Sequence, residues 1–308
     1  LEKKILSNFQ LIFKKIEKLT KKEFQKIDGI LTGHTTIFDN HTLSKFPNCK
    51  AIVRYGAGYN NIDINLAKQK GIKVFNVPEY GSNEVADVAI SMTMSFLKNL
   101  NSFYFNILNK NRSNFWNYDS GYIYRRISKL NVGVIGLGRI GKSYARRMHA
   151  LGTKIYFYDP YVKKYSKKFK KVNSLAKIFN TCEVISLHVP STRETRFFIK
   201  KKFIDNSKKK IVLINTARGD LVKEKTIIDG LKNGKILCFG ADVLENEPIN
   251  FKSNFFKLVK SLKFESRVIL TPHAAFYTKE SFYDLRYNTA KTILEFFKKN
   301  SLKNCVNI

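Results

Sequence analysis

The chain has 308 residues but only four cysteines, Cys49, Cys182, Cys238 and Cys305, and no two of them form a Cys-x-x-Cys pair. That scarcity argues against a disulfide scaffold or a thiolate zinc site and suits a reducing compartment. The five histidines contain no His-Glu-x-x-His pair, and no metal site is expected. Long apolar runs are missing too. The best candidate for a membrane span, Val85 to Leu97, is interrupted by Asp87, Ser91, Thr93 and Ser95, whereas spanning helices need about 18 or more apolar residues. Glu2, Lys3 and Lys4 open the chain with no signal-type apolar core behind them. These absences point to a soluble protein, expected in the cytoplasm and without a membrane partner.

Acidic residues are scarce as well. Twenty-four Asp and Glu against 56 Lys and Arg leave a formal charge of +32, which suggests nucleic acid, an anionic surface or anionic small molecules as partners. A plainer origin is favoured. Forty-four of the 56 are Lys, spread along the chain among many Asn, Ile and Phe, the mixture that A-rich coding produces. No RNP, homeodomain or paired Cys/His signature accompanies the charge, so no specific nucleic-acid partner is expected. The lysine run Lys163–Lys171 reads as a solvated loop or surface helix, and Lys208–Lys210 as a solvated turn.

What is present is a globular core. Hydrophobic residues make up 44% and aromatics 13% of the chain, which excludes disorder despite the charge. At about 150 residues per domain the length predicts two domains. Short β-branched runs alternate with helical patterns, the signature of parallel βαβ units. The runs predict strands at Gly29–Thr32, Ala51–Arg54, Ile72–Asn76, Asn131–Gly136, Lys154–Tyr158, Glu183–Leu187, Ile211–Asn215, Ile236–Gly240 and Val268–Leu270. Most are apolar on both faces, as strands covered by helices on two sides are. Helices are expected over Asn61–Lys70, Asn83–Lys98, Arg139–Leu151, Lys223–Asn233 and Lys279–Lys299. Residues 1–19 read as a further helix, with Ile5, Phe9, Ile12, Phe13 and Ile16 on one side. A helix ahead of any strand leads us to expect N-terminal residues upstream of Leu1.

Val132 to Ile135 runs into Gly136-Leu137-Gly138-Arg139-Ile140-Gly141 and then a helix. In this Gly-x-Gly-x-x-Gly turn Gly136 permits the tight bend and Gly138 the approach of a pyrophosphate. Gly141 lets the helix pack on the strand, and the helix N-terminus offers free N–H groups to phosphate. The next strand ends in Asp159, 18 residues past Gly141. A carboxylate there accepts hydrogen bonds from ribose hydroxyls and repels a 2′-phosphate, which favours NAD over NADP.

Three segments follow later strands: Asn215-Thr216-Ala217-Arg218-Gly219, Ala241 to Pro248, and Thr271-Pro272-His273-Ala274-Ala275. In an open α/β sheet such strand ends border the ligand crevice, so Arg218, Glu247 and His273 can converge there. Hydride transfer to a 2-keto acid needs a planar cation for the carboxylate and carbonyl, for which Arg is suited. It needs a proton donor near neutral pH, for which His is suited. A carboxylate beside such an imidazole favours its protonated form and fixes its tautomer.

The combination of GLGRIG, YDP at 158–160, NTARGDLV at 215–222, ADVLENEP at 241–248 and TPHAAFYT at 271–278 closely resembles the D-isomer-specific 2-hydroxyacid dehydrogenases, over nearly the whole chain. RYGAGYNNIDI at 54–64 and NVPEYGSNEVADVA at 76–89 resemble the branch that holds phosphoglycerate-dehydrogenase-like enzymes. The carboxyl-terminal-binding-protein corepressors share that branch, and their ending resembles Leu302–Asn307. The resemblance implies an α/β protein of two doubly wound Rossmann-like domains, each with a parallel sheet. Residues 1–100 and 274–308 would form a discontinuous substrate domain, and 101–273 the NAD-binding domain. Closure of the two would bring Arg54 and the glycine loop over the nicotinamide. It further implies an NAD-dependent oxidoreductase acting on a small 2-hydroxy or 2-keto acid. The protein is expected to be a homodimer, and Phe103–Tyr124 is a candidate dimer arm.

By the same resemblance Arg218, Glu247 and His273 match the substrate arginine, the histidine's glutamate and the acid/base histidine. Gly136, Gly138, Arg139, Ile140, Gly141 and Asp159 match the dinucleotide site. His188, Val189 and Pro190 match residues lining the cofactor groove, and Thr216, Ala217 and Asp242 its nicotinamide end. Arg54, Gly56, Ala57 and Gly58 match the substrate loop, with Arg218 and His273 completing the substrate contacts. Specificity is expected from side chains around His34, Arg54, Tyr80 and Tyr277. The sequence departs from the family at Asn60, where Asp is more frequent, and at Ser191, where Leu is common. No regulatory domain follows Ile308, so end-product control is not expected. The alternative to an enzyme is an NAD(H)-sensing interaction protein of corepressor type.

Overall fold

A computed structural model describes residues 1–108, 116, 118, 122, 124–261 and 264–308. The chain divides into two compact units, Leu1–Gly81 with Phe276–Ile308, and Ser82–Ala275. Among the described residues no helix is long and apolar enough to cross a membrane.

The smaller unit holds a parallel sheet of β1 (Gly29–Thr32), β2 (Ala51–Arg54) and β3 (Lys73–Phe75), in that order. Around it stand α1 (Glu2–Ile5), α2 (Lys21–Lys26), α3 (Asn40–Leu43), α4 (Ile64–Gln69) and α12 (Lys279–Lys299). Strand alternation sorts the core. Ala51, Val53 and Phe75 face Leu285, Ala290 and Ile293 of α12, while Ile52 and Val74 face Phe38, Leu43, Ile62 and Ala67. Helix starts are set by side-chain caps: Thr20 with Glu23 in a capping box, then Asp39, Asp63 and Thr278.

The larger unit is one sheet of seven parallel strands: β4 (Asn131–Ile135), β5 (Lys154–Tyr158), β6 (Lys170–Lys171), β7 (Val184–Leu187), β8 (Ile211–Asn215), β9 (Ile236–Ala241) and β10 (Val268–Leu270). The order is β10-β9-β8-β7-β4-β5-β6. On one face α5 (Ser82–Leu97) and α7 (Arg139–Ala150) bury Ala86, Ala89, Met92, Phe96, Tyr144 and Met148 against Val132, Val134, Phe157, Val212 and Ile214. On the other, α8 (Leu175–Thr181), α9 (Lys201–Asp205), α10 (Glu224–Lys232) and α11 (Asn254–Val259) cover Ile185, Leu187, Leu213 and Phe239. The order reverses at β4, which lies between β5 and β7. A crevice at the C-terminal strand ends beside such a switch is where open α/β sheets hold ligands.

Two expectations about secondary structure are corrected. Residues 1–19 are not one helix: α1 ends at Ile5, the chain turns at Leu6–Asn8, and only a 3-10 turn at Ile16–Lys18 follows. Ser7 and Asn8 favour a turn, and β-branched Ile12 and aromatic Phe13 are only middling helix formers; both are exposed. Within the lysine run, Lys170 and Lys171 pair with Tyr156 and Phe157 as the edge strand β6. Buried Phe169 anchors it, and solvated lysines on an edge strand discourage further pairing. The division of units also falls at Gly81/Ser82, ahead of the boundary expected near residue 100. The reason is that α5 packs on α7, β8 and β9. The Phe103–Tyr124 arm lies largely outside the described residues; where it begins, α6 (Leu100–Leu108) leaves Leu100, Tyr104, Ile107 and Leu108 exposed.

The short α1 is held by charge. Arg286 Nε on α12 donates to Glu2 Oε1 at 2.7 Å and Nη2 donates to Oε2, while the Tyr55 hydroxyl donates to Oε1 at 3.2 Å. The Arg286 hydrogen bond holds the Glu2 carboxyl at about 2, against an ordinary value of 4.5. A folded pKa below the unfolded one contributes stability that is complete above the unfolded value and lost as the pH falls toward the folded one. Glu2→Gln should therefore cost about 1–2 kcal/mol, since the guanidinium is partly solvated. The protection of the α1 amides against exchange, relative to the free chain at the same pH, should drop in that variant at neutral pH, and in the native protein only as the pH falls from 4.5 toward 2. Native-like exchange in Glu2→Gln would remove the clasp as what docks α1.

Candidate active site

Gly136 ends β4 with φ +90°, a backbone open to glycine, and its N–H donates to Tyr158 O at 2.9 Å. Gly138 is the N-cap of α7 and supplies no side-chain cap, which leaves the N–H groups of the first turn for an anion. A Cβ on Gly141 would run into the Gly136 carbonyl oxygen, so helix and loop close on each other only with glycine there. Arg139 is exposed and Ile140 half-buried beside them. Asp159 braces this loop. Its Oδ2 accepts from Leu137 N–H at 2.8 Å, and its Oδ1 from Tyr161 and Val162 N–H at 2.9 and 3.1 Å.

The chain after β7 borders the same loop, where a Cβ on Gly136 would meet His188 O and Val189 Cγ1. His188 itself turns inward. Its N–H donates to Ile135 O at 2.7 Å, its Nε2 pairs with Ser186 Oγ at 2.9 Å, and its ring lies 5.1 Å from that of Tyr144. Burial pushes its imidazole down to about 3, so it is neutral at physiological pH. Pro190 is exposed. Past β8, Thr216 Oγ1 is buried without a hydrogen-bond partner, a cost of about 1–3 kcal/mol that a ligand's polar group would remove. The uncapped helix, the glycine cradle, the acidic strand end and this orphaned hydroxyl fit a bound dinucleotide.

The segments after β8, β9 and β10 supply the reactive groups. His273 Nδ1 lies 2.7 Å from Glu247 Oε2, and Glu247 Oε1 accepts from Leu244 N–H at 2.9 Å. The side chains are only about a quarter to a third exposed, 27% for His273 and 33% for Glu247, so the pair is partly screened from bulk water. The Arg218 turn packs against the Glu247 segment, because a Cβ on Gly219 would strike the Leu244 carbonyl. Arg218 is half-buried, and its Nη1 donates to Ala217 O at 2.6 Å. Buried Asp242 accepts from Thr271 Oγ1 at 2.6 Å and from Ala274 and Ala275 N–H at 2.8 and 3.0 Å.

Two contributors, Asn215 and Thr271, were not singled out in the sequence, and a third, Ser191, stood out only as a departure from the family. Asn215 Oδ1 accepts from Ala217 N–H at 3.1 Å while its Nδ2 donates to Arg218 O at 2.8 Å. Thr271 bonds to Asp242 as above. Ser191 Oγ donates to Asp220 Oδ2 at 2.6 Å, so the departure from Leu at this position ties the loop after β7 to the Arg218 turn. Asn215 had one signal, a polar residue closing an apolar strand. Among the described residues no group of three His, Cys, Asp or Glu could hold a metal ion.

In the smaller unit Arg54 is buried at the end of β2, with Nη1 donating to Tyr55 O at 2.5 Å. A Cβ on Gly56 would meet Arg54 Nη1 and, at 2.9 Å, Tyr80 Oη, so Arg54, Gly56 and Tyr80 are neighbours. Ala57 is exposed and Gly58 half-buried. Tyr80 packs edge-on against Phe276 at 5.5 Å, and Tyr277 is exposed.

Residues 90–275 match the family model described as D-isomer specific 2-hydroxyacid dehydrogenase, NAD binding domain. An aromatic 2-oxoacid reductase of Clostridium sporogenes is 32% identical over 287 residues, 90% of this chain and 85% of that protein. A D-3-phosphoglycerate dehydrogenase of Bacillus subtilis is 29% identical over 93% of this chain. The chain spans about half, 52%, of that relative's length. The crystal structure of D-lactate dehydrogenase from Aquifex aeolicus, complexed with NAD and lactic acid, superposes with a TM-score of 0.87 at 29% identity. It covers 99% of this chain and 95% of that one.

The cradle makes a quantitative demand. Gly141→Ala must push α7 from the loop or twist the Gly136 carbonyl, an overpacking cost of about 1–3 kcal/mol. Titration with NADH should show affinity lowered about tenfold or more, and unchanged affinity would remove the close approach as a requirement of the site.

Proposed function

The chain belongs to the D-isomer specific 2-hydroxyacid dehydrogenases, and we propose from its site that Arg218, Glu247 and His273 carry out the interconversion of a D-2-hydroxy acid with its 2-keto acid. NAD is the coenzyme, and when bound it supplies or accepts the hydride. The observation that carries the residue roles is the 2.7 Å contact of His273 Nδ1 with Glu247 Oε2 at the rim that also bears the glycine cradle.

Arg218 receives the substrate carboxylate, for which a guanidinium offers two parallel donors in the plane of the anion. With Nδ1 committed to Glu247, His273 presents Nε2 to the substrate oxygen. It donates a proton there during reduction and takes it back during oxidation. Glu247 fixes the tautomer. Leu244 N–H in turn fixes Glu247. Thr216 offers its buried hydroxyl to the coenzyme, and Asp159 accepts from the adenosine ribose through the Oδ2 lone pair left by its three backbone donors.

The test is a panel of 2-keto acids (glyoxylate, hydroxypyruvate, pyruvate and phosphorylated acids) followed by NADH absorbance. At least one should be turned over, and His273→Ala should lower its kcat by about two to four powers of ten with NADH affinity intact. Full turnover in His273→Ala would discard the acid/base role. NADH binding with no turnover across the panel would favour a dinucleotide-sensing protein.

Asp159 carries a second expectation. Asp159→Ala removes the charge that rejects a 2′-phosphate, so the ratio of kcat/KM with NADH to that with NADPH should fall. An unchanged ratio would take coenzyme choice away from this residue.

A further inference from the structure

Asn76 stands one residue past β3 and is half-buried. Its Nδ2 donates to Ala57 O at 2.7 Å, and the following amide, Val77 N–H, donates to Gly56 O at 2.9 Å. Two successive carbonyls of the loop Gly56-Ala57-Gly58 are thereby drawn toward the end of β3. The peptides that carry them are trans, and in a trans peptide C=O and N–H point in opposite directions. The N–H groups of Ala57 and Gly58 are therefore turned to the other side of the loop. Neither donates to any partner among the described residues. Successive free N–H groups make a concavity that suits an anion, and the Arg54 guanidinium lies beside Gly56.

Asn76 is itself held by the segment that follows α12. Its N–H donates to Asn304 O at 3.2 Å, and Val306 N–H donates to Val74 O at 2.8 Å, so residues 304–306 lie antiparallel along β3. The buried Asn307 side chain accepts from Val74 N–H at 2.8 Å and donates to Ile72 O at 2.9 Å. Ala57 O, by contrast, has no donor except Asn76 Nδ2 among the described residues. The direction of Gly58 N–H therefore depends on this one side chain, whereas that of Ala57 N–H rests on the main chain at Val77.

We propose that Asn76 is a positioning residue for substrate binding: it aims the Gly58 N–H, and with it the pair of loop amides, at the carboxylate of the keto acid. Its amide group sits on the carbonyl side of the loop, opposite those N–H groups, and it acts through them. The kinetic consequence rests on the activity proposed above and on residues 56–58 as the substrate loop. The hydrogen bonds stand without either.

Asn76→Ala deletes the donor to Ala57 O and frees the second loop peptide to turn. The KM for the keto acid should rise about ten- to hundredfold, the worth of a hydrogen bond to a charged group, while kcat stays within about threefold. The Kd for NADH should not change. Asn76→Gln, which keeps an NH2 group on a longer stem, should recover part of the loss. In 15N relaxation the Gly58 amide of Asn76→Ala should lose order while Val306 keeps its native order, which separates loss of aim from loss of fold. Oxamate, an analogue of a keto acid, should shift the Ala57 and Gly58 amides of the native protein saturated with NADH, and Asn76→Ala should need correspondingly more of it. Native KM with native Gly58 order in Asn76→Ala would overturn the inference. So would a raised KM matched by an equal loss of NADH affinity and of order at Val306, since that marks general damage. If no keto acid is turned over, the proposed activity fails, and the oxamate shifts and Gly58 order still decide the role of Asn76. Oxamate that moves neither loop amide in the native protein would also sink it.

Discussion

Parallel strand pairing is the constraint on which the site depends. All seven strands of the larger unit run in one direction, so every loop that leaves a C-terminal end emerges on the same rim. The ladder also continues one step past several strands. Gly136 donates to Tyr158 O, His188 to Ile135 O, Asp242 to Asn215 O and Thr271 to Ala241 O. Those bonds have the spacing of the sheet and the rigidity of the sheet, yet the residues they place belong to the loops. The 2.7 Å contact of His273 with Glu247 joins residues 26 positions apart because β9 and β10 deliver them at adjacent places.

Scarce acid shapes how that rim is held. With 24 carboxylates among 56 cationic side chains, ion pairing is available everywhere, but most surface pairs contribute about 0–1 kcal/mol. The carboxylates near the site serve backbone amides instead. Asp159 accepts from three, Asp242 from two besides Thr271, Glu247 from Leu244 and Glu245 from Glu224. A hydrogen bond from a backbone N–H to a charged acceptor is directional, and its donor is already held by the chain. It therefore fixes a loop where a mobile ammonium would not.

Much of this was legible in the sequence, because the larger unit's strands are apolar on both faces. β5, β8 and β10 have the bounds expected from their residues, and β4, β7 and β9 differ by one position. The glycine spacing announced the cradle, since Gly136 and Gly141 answer steric demands that any chain with this turn must meet. Residues 1–19 misled because apolar spacing of three and four does not distinguish a helix from a short turn followed by extended chain; the Glu2–Arg286 clasp across 284 positions holds only the first turn. β6 was hidden by composition, as two lysines carry no strand signal without a neighbour to pair with. Asn215 and Thr271 were hidden for a further reason: their partners are largely backbone and carboxylate groups brought near by strand register, which residue type alone does not encode.

The same physics separates what the net charge does from what the site does. A charge of +32 raises the local concentration of anionic acids and speeds their encounter, but the field is screened over about 8 Å at physiological salt. It acts alike on every small carboxylic acid. Discrimination between such acids has to come from groups removed from that screening. In the larger unit the groups proposed for this are a half-buried guanidinium and an imidazole a quarter exposed. Each is oriented by hydrogen bonds rather than by the surrounding cations. The protein can therefore carry a large and diffuse surplus of lysine without blurring its site, because the charges that attract a substrate and the groups that orient it are different sets of atoms.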